Sequence, residues 1–89
     1  MADLNHCYRK NEQILCKELE GAPVLIDPYR RTLITLNPVG FDIWQLLDGE
    51  HSALGIINNL KELFDIDEKH LEKDVINFLE DLAKREIIL

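Results

Sequence analysis

The chain has 89 residues, of which 46% are hydrophobic and 30% are charged. This composition is typical of one folded domain and excludes a disordered chain, and so small a core leaves little room for a deep catalytic cleft. Ten basic and 17 acidic residues give a net charge of −7, which disfavours nucleic acid as a partner. No apolar stretch suits a membrane span or a secretory signal, so we expect a cytoplasmic protein with no membrane partner.

The N-terminal residues are polar and show no periodicity. They predict a flexible tail over residues 1–12 and a folded domain over residues 13–89. Cys7 and Cys16 are the only cysteines and lack CxxC spacing, so we expect neither a metal site nor a redox site. Because Cys16 alternates with Ile14 in a strand-like run, it is expected to be a small buried apolar side chain.

Three strand-like runs follow the tail. The first, QILCKEL, ends at Glu20-Gly21. The next two, APVLID and RTLITLN, are separated by the turn sequence Asp27-Pro28-Tyr29-Arg30, which predicts a hairpin. In the third run, Thr32, Ile34 and Leu36 point to one face, and Leu33 and Thr35 point to the other.

The segment LNPVGFDIWQLLDGEH has helix signals at both ends. Asn37 is a good N-cap and Pro38 suits the first helical position. Asp48-Gly49 is expected to end the helix, with the glycine in the left-handed conformation. Gly40 lies at helical spacing among apolar residues, which predicts that another backbone approaches closely there.

Two further helices complete the predicted fold. One begins after Ser52 and runs to Phe64, and the other follows the break Asp65-Ile66-Asp67 and runs to about Glu86. The inward stripe of the last helix is predicted to contain Leu71, Val75, Phe78, Leu79 and Leu82. The terminal Ile-Ile-Leu fits either a short closing strand or the end of that helix. The fold class is therefore α+β, with three N-terminal antiparallel strands followed by three helices.

Groups that could perform catalysis are not brought together by the sequence. His6, His51 and His70 lie in the tail, after a helix-ending glycine and on a charged helical face, so we expect them to be solvated. The carboxylates of the last helix have the pattern of a solvated face, and the glycines form no phosphate-binding loop. We therefore expect no enzyme activity, no cofactor and no metal.

A small sheet keeps two edges with unpaired N–H and C=O groups. If RTLITLN lies at such an edge beside the last helix, a groove between them could receive an extended peptide. The alternative interpretation is that Ile34, Leu36, Phe78 and Leu79 are simply core residues.

Three segments together resemble the PqqD-like proteins, also called RiPP recognition elements. These segments are VLID, LITLNPVGFDIWQLLDG and FDIDEKHLEKDVINFLEDLAKREIIL, and the likeness covers residues 22–89. Two departures stand out: EHSALGII replaces the usual start of the second helix, and KREIIL lacks the glycine that is common near the end.

The resemblance implies a winged-helix-like domain that captures the leader segment of a ribosomally made precursor peptide. The leader adds as a strand beside the third β-strand, is held by the third helix, and is presented to a modifying enzyme such as a radical S-adenosylmethionine protein or a leader peptidase. Carried to this chain, the receiving edge is Thr32, Leu33, Ile34, Thr35 and Leu36, and the opposite wall is Asp74, Phe78 and Asp81. Trp44, Gly40 and Asp48-Gly49 are expected to support the scaffold only.

Two other functions compete with this hypothesis. A winged-helix regulator that binds nucleic acid would suit the three helices, but the chain lacks a cluster of basic residues. A homodimer formed through the same strand edge is the other alternative. An Ile34→Pro substitution would test the edge, provided that the Ile34 amide faces outward.

Overall fold

The computed structural model describes residues 4–65 and 67–89. It shows one antiparallel sheet of three strands in the order β1-β2-β3, so β1 and β3 are its edges. The α+β fold predicted from the sequence is confirmed, and its elements are β1 (Leu15–Leu19), β2 (Ala22–Asp27), β3 (Thr32–Thr35), α1 (Pro38–Gln45), α2 (Ala53–Leu63) and α3 (Glu68–Lys84). The expected break before α3 includes Ile66, which lies outside the described residues.

Two tight turns connect the strands. Glu20 and Gly21 join β1 to β2 and both have positive φ angles, 53° and 82°, as expected for a two-residue hairpin turn whose twist matches the strands. Asp27 organises the β2–β3 turn, because its buried carboxylate accepts hydrogen bonds from the amides of Tyr29 at 3.0 Å and Arg30 at 3.1 Å.

The helix starts follow the capping residues in the sequence. The Asn37 side chain accepts a hydrogen bond from the Gly40 amide at 2.7 Å, and the Ser52 hydroxyl accepts one from the Gly55 amide at 3.0 Å. Asp67 occupies the N-cap position of α3, but its side chain makes no capping bond. Its carboxylate instead lies 3.2 Å from Nδ1 of His70.

Helix α1 ends earlier than predicted. Its C-cap is Leu46, and Gly49 lies in the connection to α2, with φ at 82°. The prediction that Asp48-Gly49 ends the helix is therefore wrong. The Gly49 amide donates to the carbonyl of Tyr8 at 3.0 Å, so this connection is hydrogen-bonded to the N-terminal segment, which is distant in sequence.

Residues 4–11 are attached to the domain, in contrast to the flexible tail expected over 1–12. Arg9 and Leu89 exchange backbone hydrogen bonds of 3.0 and 2.8 Å, and the carbonyl of His6 accepts the Ala53 amide at 3.1 Å. Tyr8 is buried in the core. The terminal Ile-Ile-Leu thus forms a short strand-like bridge, at Ile88, with this segment. Residues 1–3 of the expected tail lie outside the described residues.

The core lies between the three helices and one face of the sheet. Leu25 on β2, Leu47 after α1, Ile56 on α2 and Leu79 on α3 are at most 1% exposed. By contrast, Cys16 is exposed, as are all the remaining residues of β1. The prediction of a buried Cys16 is therefore wrong. Strand β1 is the edge farther from β3, and its side chains are left uncovered.

No helix within the two described stretches is both long enough and apolar enough to cross a membrane.

Candidate functional site

Strand β3 presents an unpaired backbone edge. In the described part of the chain it pairs with β2 alone. Its sequence Thr-Leu-Ile-Thr contains no charged side chain, whereas the other edge strand, β1, carries Lys17 and Glu18. Charged residues on an edge strand oppose pairing with another chain. The edge that lacks this protection is therefore β3.

The hydrogen-bond register shows which β3 backbone groups are free. The Leu36 amide donates to the Pro23 carbonyl at 3.0 Å, just beyond the pair Thr35↔Val24. In an antiparallel ladder, bonded and non-bonded pairs alternate, so Ile34 bonds to Leu25. The N–H and C=O groups of Leu33 and Thr35 therefore point away from the sheet. The Ile34 amide faces β2, so the condition attached to the Ile34→Pro test does not hold.

A groove of about 450 Å³ opens where the end of β3 meets α1 and α3. Its floor is largely apolar, and its rim carries polar groups from β3 and α3. The lining residues are Thr35, Leu36, Asn37, Val39, Gly40, Ile43, Leu71, Asp74, Asn77 and Phe78.

Half of the predicted site residues lie together at this groove, namely Thr35, Leu36, Asp74 and Phe78. Thr32, Leu33 and Ile34 lie on β3 outside the groove lining. Asp81 is also outside it, and its carboxylate lies 3.3 Å from Nε of Arg85. Leu36 and Leu79 are core residues, as the alternative interpretation expected, while Ile34 and Phe78 are only partly buried.

Sequence reasoning missed the contribution of α1 to the groove. Gly40 was expected to serve the scaffold only, yet it lines the groove. A Cβ atom at this position would lie 3.5 Å from Cζ of Phe78 and 3.6 Å from Cδ2 of Leu36, so side chains approach it and not the backbone we expected. The position of Gly40 after the end of β3 was the available signal, because a helix that follows an edge strand directly must begin beside it.

The far end of α3 is tied to the β2–β3 turn by Arg30. Its guanidinium donates to the carbonyl of Arg85 and to the carboxylate of Glu86, the latter at 2.8 Å. The neighbouring Glu86 and Asp27 carboxylates raise the pKa of Arg30 above its ordinary value, with the Glu86 hydrogen bond as the largest cause. This link fixes α3 relative to the hairpin that contains β3.

Within the described residues, each histidine side chain contacts one neighbouring side chain. His51 Nδ1 lies 2.9 Å from Oδ2 of Asp48, and the His6 ring packs edge-on against Tyr8 at 4.4 Å between centroids. The backbone amide of Glu50, followed by the His51 side chain, lowers the pKa of Asp48 to about 2. Over residues 4–65 and 67–89, no cluster of three or more His, Cys, Asp or Glu side chains could hold a metal ion.

The sheet, the helices and the groove define the class of this protein as a small α+β domain with an open strand edge. The chain belongs to the PqqD family: the model of coenzyme PQQ synthesis protein D (PqqD) matches residues 23–88. The resemblance found in the sequence is thereby confirmed. No curated protein matches the sequence.

Two solved structures share this fold. TbiB1 in complex with the TbiA(beta) leader peptide is 24% identical, with a TM-score of 0.76 over 90% of this chain and 93% of that chain. Lasso peptide synthetase B1 complexed with the leader peptide is 21% identical, with a TM-score of 0.76 over 93% of this chain and 98% of that chain. The agreement over nearly the whole length of each chain includes the three strands and the three helices.

Proposed function

We propose that this chain binds the leader segment of a ribosomally synthesised precursor peptide by strand addition to β3. It presents the bound peptide to a modifying enzyme, a radical S-adenosylmethionine protein or a leader peptidase, and catalyses no reaction itself. The observation that carries this proposal is the free β3 edge, with outward backbone groups at Leu33 and Thr35 beside the groove. Membership of the PqqD family and two structural relatives solved with leader peptides support it.

Strand addition explains how a shallow site could bind a peptide with useful affinity. Main-chain hydrogen bonds at Leu33 and Thr35 would hold the guest in register, and the alternate guest side chains would enter the groove beside Phe78. Each such bond contributes about 1 kcal/mol net, so affinity depends on the bonds and the apolar contacts together. The predicted contacts at Thr32, Ile34, Leu36 and Asp74 are part of this proposal. Asp81, which lies outside the groove and contacts Arg85, is not.

A Thr35→Pro substitution tests the strand edge. The Thr35 amide faces away from β2, so proline removes the donor offered to a guest without removing a bond within the sheet. The residue before it, Ile34, is already extended, as proline requires. We expect peptide affinity to fall about tenfold or more, because a hydrogen bond is lost and the ring crowds the guest.

The measurement is a titration of the ¹⁵N-labelled chain with synthetic leader segments taken from short open reading frames beside its gene. Thr35→Ala keeps the amide and should bind like the wild type. Cys16→Pro blocks an outward amide on the other edge, β1, and should also bind normally. Equal affinity of folded Thr35→Pro and Thr35→Ala would refute strand addition at β3.

Nucleic-acid binding is the competing function with a direct test. The net charge of −7 predicts no shift of duplex DNA at micromolar protein. Salt-sensitive duplex binding would contradict the proposed function.

A further inference from the structure

Among the described residues, Asp74 is the one charged side chain that lines the groove. It is exposed, and it makes no hydrogen bond and no ion pair with any residue in the described chain. The other lining groups are apolar or neutral, such as Phe78 and Asn77. The groove therefore carries a negative charge that none of the described residues compensates.

The other acids on the same side of α3 are already paired. Asp67, Asp74 and Asp81 are spaced seven residues apart, which places them along one side of the helix. Asp67 contacts His70 at 3.2 Å, and Asp81 contacts Arg85 at 3.3 Å. Asp74 thus differs from Asp67 and Asp81 both by lining the groove and by having no side-chain partner among the described residues.

The register fixes which guest side chains come near Asp74. A guest strand bonded to Leu33 and Thr35 places every second side chain on the face of the sheet occupied by Ile34 and Leu36. That face is turned toward α1 and α3. Two guest residues on this face are separated by one residue of the opposite face, so one can enter the apolar floor while the other reaches the rim.

We propose that Asp74 makes the groove selective for peptides in which a lysine or arginine lies two residues from an apolar side chain. The apolar side chain packs against Val39, Ile43 and Phe78, and the cation pairs with the Asp74 carboxylate. This selectivity rests on the proposed strand addition and adds the chemical class of the guest. Opposite charges across an interface favour the correct partner, and like charges reject the wrong one.

A selection from random peptides tests this selectivity, because it does not depend on the identity of the natural guest. An mRNA-display library of random 12-residue peptides is selected on the full chain as wild type, Asp74→Lys, Asp81→Lys and Thr35→Pro. The wild type should enrich peptides with a basic residue two positions from an apolar one. Asp74→Lys should enrich an acidic residue at that position, and Asp81→Lys should retain the basic preference because Asp81 does not line the groove.

The affinity of one selected peptide and its Lys→Glu version gives the size of the effect. We expect the exchange to weaken binding to the wild type about 5-fold to 10-fold at low ionic strength and to strengthen binding to Asp74→Lys. The ratio should shrink in about 0.5 M NaCl, since salt screens an exposed pair.

The two proposals fail in different ways. Peptides that bind the wild type no better than Thr35→Pro would refute strand addition and the selectivity with it. Peptides that need the free edge but bind equally well with Lys or Glu would refute the role of Asp74 alone.

Discussion

At the scale of single residues, Asp48 links the electrostatics of the chain to its stability. Its carboxylate accepts hydrogen bonds from the Glu50 amide at 2.9 Å and from the His51 side chain, which hold the pKa of Asp48 at about 2. In the unfolded chain the pKa of the same group is about 3.9. A depressed pKa in the folded state means that the stabilisation is complete above about pH 4 and is lost as the pH falls through 2.

We predict that an Asp48→Asn variant, whose side-chain oxygen still accepts the amide bonds, unfolds at a lower temperature than the wild type above about pH 4. The difference should shrink as the pH falls toward 2, because the wild-type carboxylate is then protonated. Thermal unfolding between about pH 2 and pH 6 measures this. Asp42→Asn serves as the control for loss of a carboxylate elsewhere, and a pH-independent gap between Asp48→Asn and the wild type would contradict the prediction.

The sequence predicted single residues well where the physical cause is local. Asn37 and Ser52 are caps because the partner amide lies three residues ahead. The direction of the Ile34 amide depends on the register with β2, and the exposure of Cys16 depends on where the helices stop covering the sheet. Neither is encoded in a short window of sequence, so both needed the structure.

At the scale of elements, the end of α3 explains one departure of this chain from its family. The amides of Glu86 and Ile87 donate to the carbonyls of Ala83 and Leu82, which is the Schellman arrangement. Glu86 occupies the left-handed position, with φ at 60°, where glycine is favoured. The glutamate at this position accepts a hydrogen bond from Arg30. This bond offsets the free-energy cost of the left-handed backbone conformation.

We predict that Glu86→Gly stabilises the chain by about 1 kcal/mol when it is made in an Arg30→Ala background, because the left-handed strain is removed and the ion pair is already absent. In the wild-type background the gain should be smaller, since the substitution also removes the pair with Arg30. Urea unfolding of the wild type, Arg30→Ala, Glu86→Gly and the double variant measures both changes in the free energy of unfolding. Glu86→Ala keeps the strain and should show no gain, and an equal gain for alanine and glycine would disprove this cause.

The order of the elements was predictable because each has its own pattern and its own boundary residues. Apolar and polar residues alternate in the strand segments, and apolar residues recur with helical period in the helix segments. Pro38 and Ser52 mark helix starts. The predictions that failed were the end of α1 and the flexible N-terminal tail, and the two errors have one cause. Residues 4–11 pair with the α1–α2 connection and with the C-terminal residues, which are contacts between distant parts of the chain.

For the candidate site, four of the eight residues predicted from the sequence lie at the groove between β3, α1 and α3. Thr35, Leu36, Asp74 and Phe78 do meet at the groove. The contribution of Gly40 was not found, because a missing side chain leaves no chemical signal of its own. Sequence reasoning did not separate Asp74 from Asp81, although the i,i+4 spacing of Asp81 and Arg85 was a readable sign of an ion pair. That Asp74 lines the groove and Asp81 does not needed the structure.

At the scale of the whole molecule, the free β3 edge favours self-association and the net charge opposes it. The uncharged β3 edge can pair with β3 of a second copy, as the homodimer alternative requires. A charge of −7 on every copy opposes that approach at low ionic strength.

We predict that the peptide-free chain is monomeric in low salt and associates in about 0.5 M NaCl, where the repulsion is screened. Sedimentation velocity at several protein concentrations measures this. The Thr35→Pro variant should remain monomeric in both buffers, whereas Thr35→Ala should behave like the wild type. Association that is insensitive to the β3 variant would assign it to another surface.

The unpaired edge of β3 has a consequence for the amount of soluble protein in a cell. If the proposed strand addition is correct, self-association of copies and binding of a peptide would use the same backbone groups, so an abundant peptide would keep the protein that binds it soluble. Producing the two chains together should therefore give a higher yield of dispersed protein than producing the binding protein alone.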